Sequence, residues 1–230
     1  MKKIAIVMMF AVASMTAVAQ EALNWANFKR YDAQNKEIAT SGVYPEVVLL
    51  GNSITEGWPA ANPQFFTDHP EIVGRGISGQ TTYQMLLRFR SDVVDLKPKI
   101  VVINGGTNDI ALNSGAYDED KTFANIVSMV DIAKANGIQP VLSTLLPAEG
   151  FSWRPEVTDA MEKIQSLNGR IKSYAVEKGI FFVDYFTPLV NSDHTGMTPG
   201  FANDTPGVHP NSAGYDVMEV ILLGVLKQVR

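Results

Sequence analysis

The 230-residue chain contains no cysteine. No disulfide, thiolate metal site, cysteine nucleophile or lipid-modified cysteine can form, so stability has to come from packing. Histidine is scarce too: His69, His194 and His209 are the full set, which leaves few positions for an imidazole base. Basic charge is in deficit, with 19 Lys and Arg against 24 Asp and Glu and a formal net charge of -5. Nucleic-acid binding ordinarily needs a concentrated basic surface, so no nucleic-acid partner is expected. Repeats, low-complexity tracts and charge blocks are also missing. With 46% hydrophobic and 19% charged residues, the chain has the apolar surface to offset the entropy of ordering, which excludes a disordered protein.

Long apolar runs are confined to the N-terminus. Lys2 and Lys3 precede an almost wholly apolar stretch from Ile4 to Ala13, and Ala17-Val18-Ala19 places small residues where a signal peptidase reads. The pattern predicts a signal peptide over residues 1–19, removed before Gln20, and a periplasmic or extracellular protein. The run is too short for a transmembrane anchor and Ser14 and Thr16 interrupt it. No later segment can span a bilayer, so no stable membrane insertion is expected. The remainder reads as one domain, 21–230.

Within that domain short β-branched runs alternate with longer segments of helical period, the pattern of an α/β fold with a parallel sheet covered on both faces. The strand candidates are Val47–Leu50, Ile100–Ile103, Val141–Leu145 and Ile180–Val183, with a shorter one at Glu71–Val73. Apolar residues recur at three- and four-residue steps from Phe123 to Val130, from Val157 to Tyr174 and from Tyr215 to Val229; these stripes read as core packing. Asn136-Gly137 and Lys178-Gly179 read as helix stops. In open sheets of this kind ligands bind beyond the carboxyl ends of the strands, so the polar residues after each run carry the interest.

Four such clusters stand out. Gly51-Asn52-Ser53-Ile54-Thr55 follows the first run and can present the Ser53 hydroxyl at the rim of the sheet. It is not the G-x-S-x-G elbow of the α/β-hydrolases, because position 55 is Thr. Gly74-Arg75-Gly76-Ile77-Ser78-Gly79 matches the dinucleotide pattern G-x-G-x-x-G, but after a short strand and away from the first turn of the domain. A nucleotide-binding redox domain would rest on that coincidence alone. The other reading is that Gly79 lets a backbone N–H approach a ligand that a side chain would block. Gly105-Gly106-Thr107-Asn108-Asp109 offers the Asn108 amide as a donor, and Gly207-Val208-His209-Pro210-Asn211 sets His209 at the entrance to the last helix.

Ser first, Gly second, Asn third and His last, in that order, resembles the SGNH hydrolase superfamily, the GDSL-type esterases and lipases. The resemblance spans residues 47 to 215. It implies a three-layer flavodoxin-like sandwich of about five parallel strands with helices on both faces, and ester hydrolysis without metal or cofactor. By position it makes Ser53 the nucleophile and His209 the base, with an oxyanion hole formed by Gly79, Asn108 and Ser53 itself. The chemistry is coherent: an unassisted serine hydroxyl is a poor nucleophile and needs a base within hydrogen-bond reach. Two departures stand out. The family's Gly-Asp-Ser reads Gly51-Asn52-Ser53 here, where Asn can keep a turn-stabilising hydrogen bond. The family's triad acid lies three residues before the histidine, where this chain has Pro206. Either Asp204, five before His209, reaches the imidazole, or a backbone carbonyl orients it.

The ester partner is less constrained. Trp58, Trp153 and Arg154 are candidates to stack on and bind a sugar, and no long apolar lid stands out. The expected substrate is a small-molecule or glycan ester with a short acyl group such as acetyl. The alternatives are lysophospholipid or other lipid ester hydrolysis, and a carbohydrate-binding member that has lost catalysis.

Overall fold

The apolar runs form a sheet whose side chains alternate between two cores. The structure, a computed structural model, describes residues 24–203 and 206–230; the predicted signal peptide and Asp204 lie outside the described residues. Strands β1 (Val47–Gly51), β2 (Ile72–Gly76), β3 (Ile100–Ile103), β4 (Gln139–Ser143) and β5 (Phe181–Val183) pair in parallel in the order β2-β1-β3-β4-β5. Val48, Leu50, Val101, Ile103 and Leu142 enter one core, while Val47, Leu49, Ile100, Val102, Val141 and Val183 enter the other. Successive strand residues point to opposite faces. A strand buried on both faces therefore reads as an unbroken apolar run, which is how β1 and β3 announce themselves.

In chain order the helices are α1 (Asp32–Ser41), α2 (Ser53–Ala61), α3 (Pro63–Asp68), α4 (Thr82–Asp92), α5 (Thr107–Ile110), α6 (Glu119–Ala135), α7 (Ala160–Lys178), α8 (Phe186–Leu189) and α9 (Ser212–Val229). Helices α4, α6 and α7 cover the first core through Met85, Phe89, Ile126, Met129, Ile164 and Leu167. Helices α2, α3 and α9 cover the second through Ile54, Trp58, Phe65, Met218 and Leu222. The result is the expected three-layer α/β sandwich. Both predicted helix stops hold, at the ends of α6 and α7.

Several boundaries move: β2 runs on to Gly76 and β5 starts at Phe181. β4 covers 139–143 rather than 141–145, because the Leu145 N–H and C=O are taken by the side-chain amide of Asn168 at 2.7 and 3.1 Å instead of a neighbouring strand. Val157 packs in the first core but precedes α7, which starts at Ala160. Among the described residues no helix is long and apolar enough to cross a membrane.

The strand order places the topological switch between β1 and β3: the chain leaves β1 for the outer strand β2, then returns past β1 to β3. Loops diverge there at the carboxyl ends of the strands, the usual ligand position in open α/β sheets. The segments carrying Ser53, Gly79 and Asn108 follow β1, β2 and β3 respectively.

Candidate active site

Ser53 is the first residue of α2. Asn52 caps that helix, its Oδ1 accepting the Ile54 N–H at 3.2 Å, so the amide does keep the turn expected of the usual Asp. Its Nδ2 is buried and has no hydrogen-bond partner among the described residues. Gly51 is required by close approach rather than by an unusual bend: a Cβ there would stand 2.0 Å from Thr55 Oγ1 in the first turn of α2.

His209 arrives from 156 residues away and places Nε2 2.9 Å from Ser53 Oγ. Three tethers bring α9 beside α2. Tyr215 donates its hydroxyl proton to Ile54 O at 2.7 Å, Trp58 Nε1 donates to Glu219 Oε1 at 2.9 Å, and Asn62 Nδ2 donates to Asp216 Oδ1 at 2.7 Å. The loop ahead of α9 is folded back on itself: Asn211 caps α9 by accepting from Gly214 N, and its Nδ2 donates to Gly200 O and Ala202 O. His69 instead packs on Phe65 beside Glu71, and His194 sits in a turn at φ 55. Of the three histidines, His209 is the one that meets a serine.

Gly79 has φ +75, a left-handed conformation that a side chain would strain. Space is not the constraint there, since the nearest atom to an added Cβ is Asn113 Nδ2 at 3.8 Å. Asn108, in α5, is buried; its Nδ2 donates to Gln80 O at 2.9 Å. Asp109 beside it pins the start of α4, accepting from Thr82 N at 2.9 Å and Thr82 Oγ1 at 2.5 Å. Burial pushes the Asp109 carboxyl up to about 6, with the Thr82 and Thr122 hydrogen bonds pulling the other way. Gly74 and Gly76 belong to β2 and pair in register with β1, so the glycine pattern is not a strand-to-helix phosphate turn.

Of the proposed sugar contacts, Trp153 is 41% exposed and its ring centroid lies 6.4 Å from that of His209. Trp58 is a correction. It is 2% exposed and packed among Phe65, Phe66, Tyr185 and Tyr215, so neither ring face is open to a sugar; it is a core residue of the α2/α9 contact. Arg154 sits in the Phe151–Val157 turn with Glu156 3.8 Å from its Nη1. A cleft of about 590 Å³ is lined by Asn62, Phe65, Asp216 and Glu219 among others and includes neither Ser53 nor His209.

The sequence reading missed the support beneath the site. Arg88, fully buried, donates to Gly51 O, Arg75 O and Gln80 Oε1 at 2.6–2.9 Å and pairs with Asp92 at 3.0 Å. Gln80 Nε2 donates to Ala26 O at 2.7 Å, and Tyr31 donates its hydroxyl proton to Gly76 O. A segment before α1 thus braces the loop after β2. Arg88 stands between Met85 and Phe89 on the buried face of α4, and that placement was the available signal; charged residues are otherwise read as solvated.

Comparison with known proteins gives the family and supports the fold. The model of the GDSL-like lipase/acylhydrolase family matches residues 49–217, and the chain belongs to this family of ester-bond hydrolases. A solved structure from Bacteroides fragilis NCTC 9343, described as a candidate acylhydrolase, is 50% identical, with 90% of this chain and 99% of that one covered and a TM-score of 0.84. An acetylxylan esterase from Geobacillus stearothermophilus shares the fold at 23% identity and a TM-score of 0.62, over 78% of this chain and 93% of its own. The uncharacterized lipoprotein YqeF of Bacillus subtilis is 32% identical over 126 residues, 45% of this chain; the match covers about half, 49%, of that curated relative.

Proposed function

We propose that the protein is an exported serine esterase that works through an acyl-enzyme, with Ser53 as nucleophile and His209 as base. The observation that carries this reading is the 2.9 Å approach of Ser53 Oγ to His209 Nε2. With Nδ1 protonated, Nε2 accepts the hydroxyl proton as Oγ attacks the ester carbonyl. The tetrahedral oxyanion is held by the Ser53 and Gly79 N–H groups and the Asn108 amide. Collapse returns the proton from Nε2 to the departing alcohol and leaves Ser53 acylated. Water then attacks the acyl carbonyl, gives its proton to His209, and the carboxylic acid leaves as Ser53 is re-protonated. Asp204 is the proposed partner that fixes the imidazole tautomer.

The proposed substrate is a short-chain ester, acetyl in particular, of a carbohydrate. Half-exposed Trp153 beside His209 supports it, as does the likeness of fold to an acetylxylan esterase. Export rests on the pattern of residues 1–19. Hydrolysis of p-nitrophenyl acetate by the wild type and Ser53→Ala is the primary test. A loss on the order of 10⁶ in turnover is expected, and equal rates would dispose of the reading. Asp204→Ala should lose up to about 10⁴ in rate if Asp204 is the orienting acid; wild-type turnover would remove it from the triad. Acetylated xylo-oligosaccharides and lysophospholipids then separate the two substrate classes.

A further inference from the structure

Resting on that reading, one further residue is assigned a role in the site. Helix α5 closes with a Schellman pattern: Asn113 N donates to Asn108 O and Leu112 N to Asp109 O, both at 3.0 Å, with Leu112 at φ 58. Glycine is the usual residue in that left-handed position. Leucine holds it here against its backbone preference. The closure wraps the chain back across α5, so the side chain of Asn113 lies against that of Asn108, five residues earlier.

The hydrogen bonds around Asn113 run in one direction. The indole of Trp153 can only donate, and Nε1–H donates to Asn113 Oδ1 at 3.1 Å. The Asn113 amide is thereby turned so that Nδ2 faces the other way, where it meets two acceptors, Gly79 O at 3.0 Å and Asn108 Oδ1 at 3.2 Å. With its oxygen held by Asn113, Asn108 directs Nδ2 to Gln80 O at 2.9 Å, and a second N–H remains on that nitrogen for the substrate. A side-chain amide is nearly symmetric in shape, and only its partners decide which end is the donor. Reversed, Asn108 would present an oxygen to a developing oxyanion.

We propose that Asn113 is a positioning residue: it orients the Asn108 amide and, by holding the Gly79 carbonyl, anchors the turn that carries the Gly79 N–H, and Trp153 sets its own orientation. It touches no reacting atom in this scheme and acts through Asn108 and Gly79.

The test is steady-state kinetics of the full chain on p-nitrophenyl acetate, comparing wild type with Ser53→Ala, Asn108→Ala, Asn113→Ala, the Asn108→Ala/Asn113→Ala double variant and Trp153→Phe. Asn108→Ala is expected to lower kcat about 10²–10³-fold. Asn113→Ala should lower it roughly 10–100-fold, the scale of a small misplacement, with KM changed by less than about twofold. The double variant should be no slower than Asn108→Ala alone, since a positioning residue has nothing left to position. Trp153→Phe, which keeps a ring and loses the N–H, should lower kcat in the same direction by a smaller factor.

Wild-type kcat in Asn113→Ala, or losses that multiply in the double variant, would overturn the assignment. Wild-type kcat in Trp153→Phe would remove Trp153 from it. If Asn113→Ala does not fold, Asn113→Asp serves instead. It keeps an acceptor for Trp153 and removes the donor, and an unchanged kcat there overturns the assignment equally. An active Ser53→Ala points to failure of the esterase reading itself. An inactive Ser53→Ala with unperturbed Asn113 variants points to failure of this inference alone.

Discussion

The two sides of the proposed active site are held in place by different physics. On the oxyanion side, the loops after β1 and β2 rest on a buried guanidinium: Arg88 ties Gly51, Arg75 and Gln80 together and is itself paired with Asp92. Asp109 joins the loop after β3 to α4. On the base side, His209 rides a loop closed by the isolated bridges Val190–Met197 and Ala202–Pro210 and by the neutral amide of Asn211. One side rests on a buried ion pair built into the core; the other is tied by bridges and amide hydrogen bonds nearer the surface. Substitutions on the first should therefore cost stability together with activity, while those on the second should cost much less stability.

The largest expected effect tests the base side. His209→Ala should abolish turnover to the level of Ser53→Ala, on the order of 10⁶, while the unfolding free energy stays within about 0.5 kcal/mol of wild type. Kinetics and urea unfolding on the same preparation check both halves, and a large loss of stability would erase the contrast. Arg88→Met comes next. It leaves Asp92 and several carbonyl groups buried without their donor, so denaturation should show a loss of about 3–5 kcal/mol. A near-neutral result would mean that the buried charge is not what holds this side together.

Asp109 sharpens the comparison through pH. Its folded-state value of about 6 lies above the ordinary 3.8, so the folded protein binds this proton more tightly than the unfolded chain. The associated stability is complete below about pH 4, falls as pH rises towards 6, and is absent above. A displacement of about 2 pH units corresponds to at most roughly 3 kcal/mol. The difference in unfolding free energy between wild type and Asp109→Asn should shrink across that window. A difference that stays flat from pH 4 to 7 would falsify the assignment. Smallest is Tyr215→Phe, which removes the bond to Ile54 O between α9 and α2 and should cost about 1 kcal/mol; a thermal or urea melt is sufficient to read it.

Much of the site was visible along the chain because its pieces follow strands. A strand buried on both faces is a continuous apolar run, its end is a sharp boundary, and the next polar residues fall at the rim of the sheet. Ser53, Gly79 and Asn108 are each marked that way, whereas His209 is marked by its place in the loop that opens the last helix. Asn113 was not: in Leu112-Asn113-Ser114-Gly115 an asparagine reads as a turn residue, and only the Schellman closure turns it onto Asn108. Trp58 failed for the opposite reason. It follows Ser53 closely enough to suggest a ligand contact, but its ring points into the α2/α9 core.

The linear order of residues by itself determined the alternation of strands and helices, the two-faced burial of the sheet and the kinds of functional group available at its rim. These depend on local periodicity and on chemistry carried within a few residues. Tertiary structure decided that Ser53 and His209 meet, that Arg88 lies beneath the site, and which way each amide points. Those outcomes depend on strand order, helix packing and hydrogen bonds between segments far apart in the chain, and a short window of sequence contains none of them.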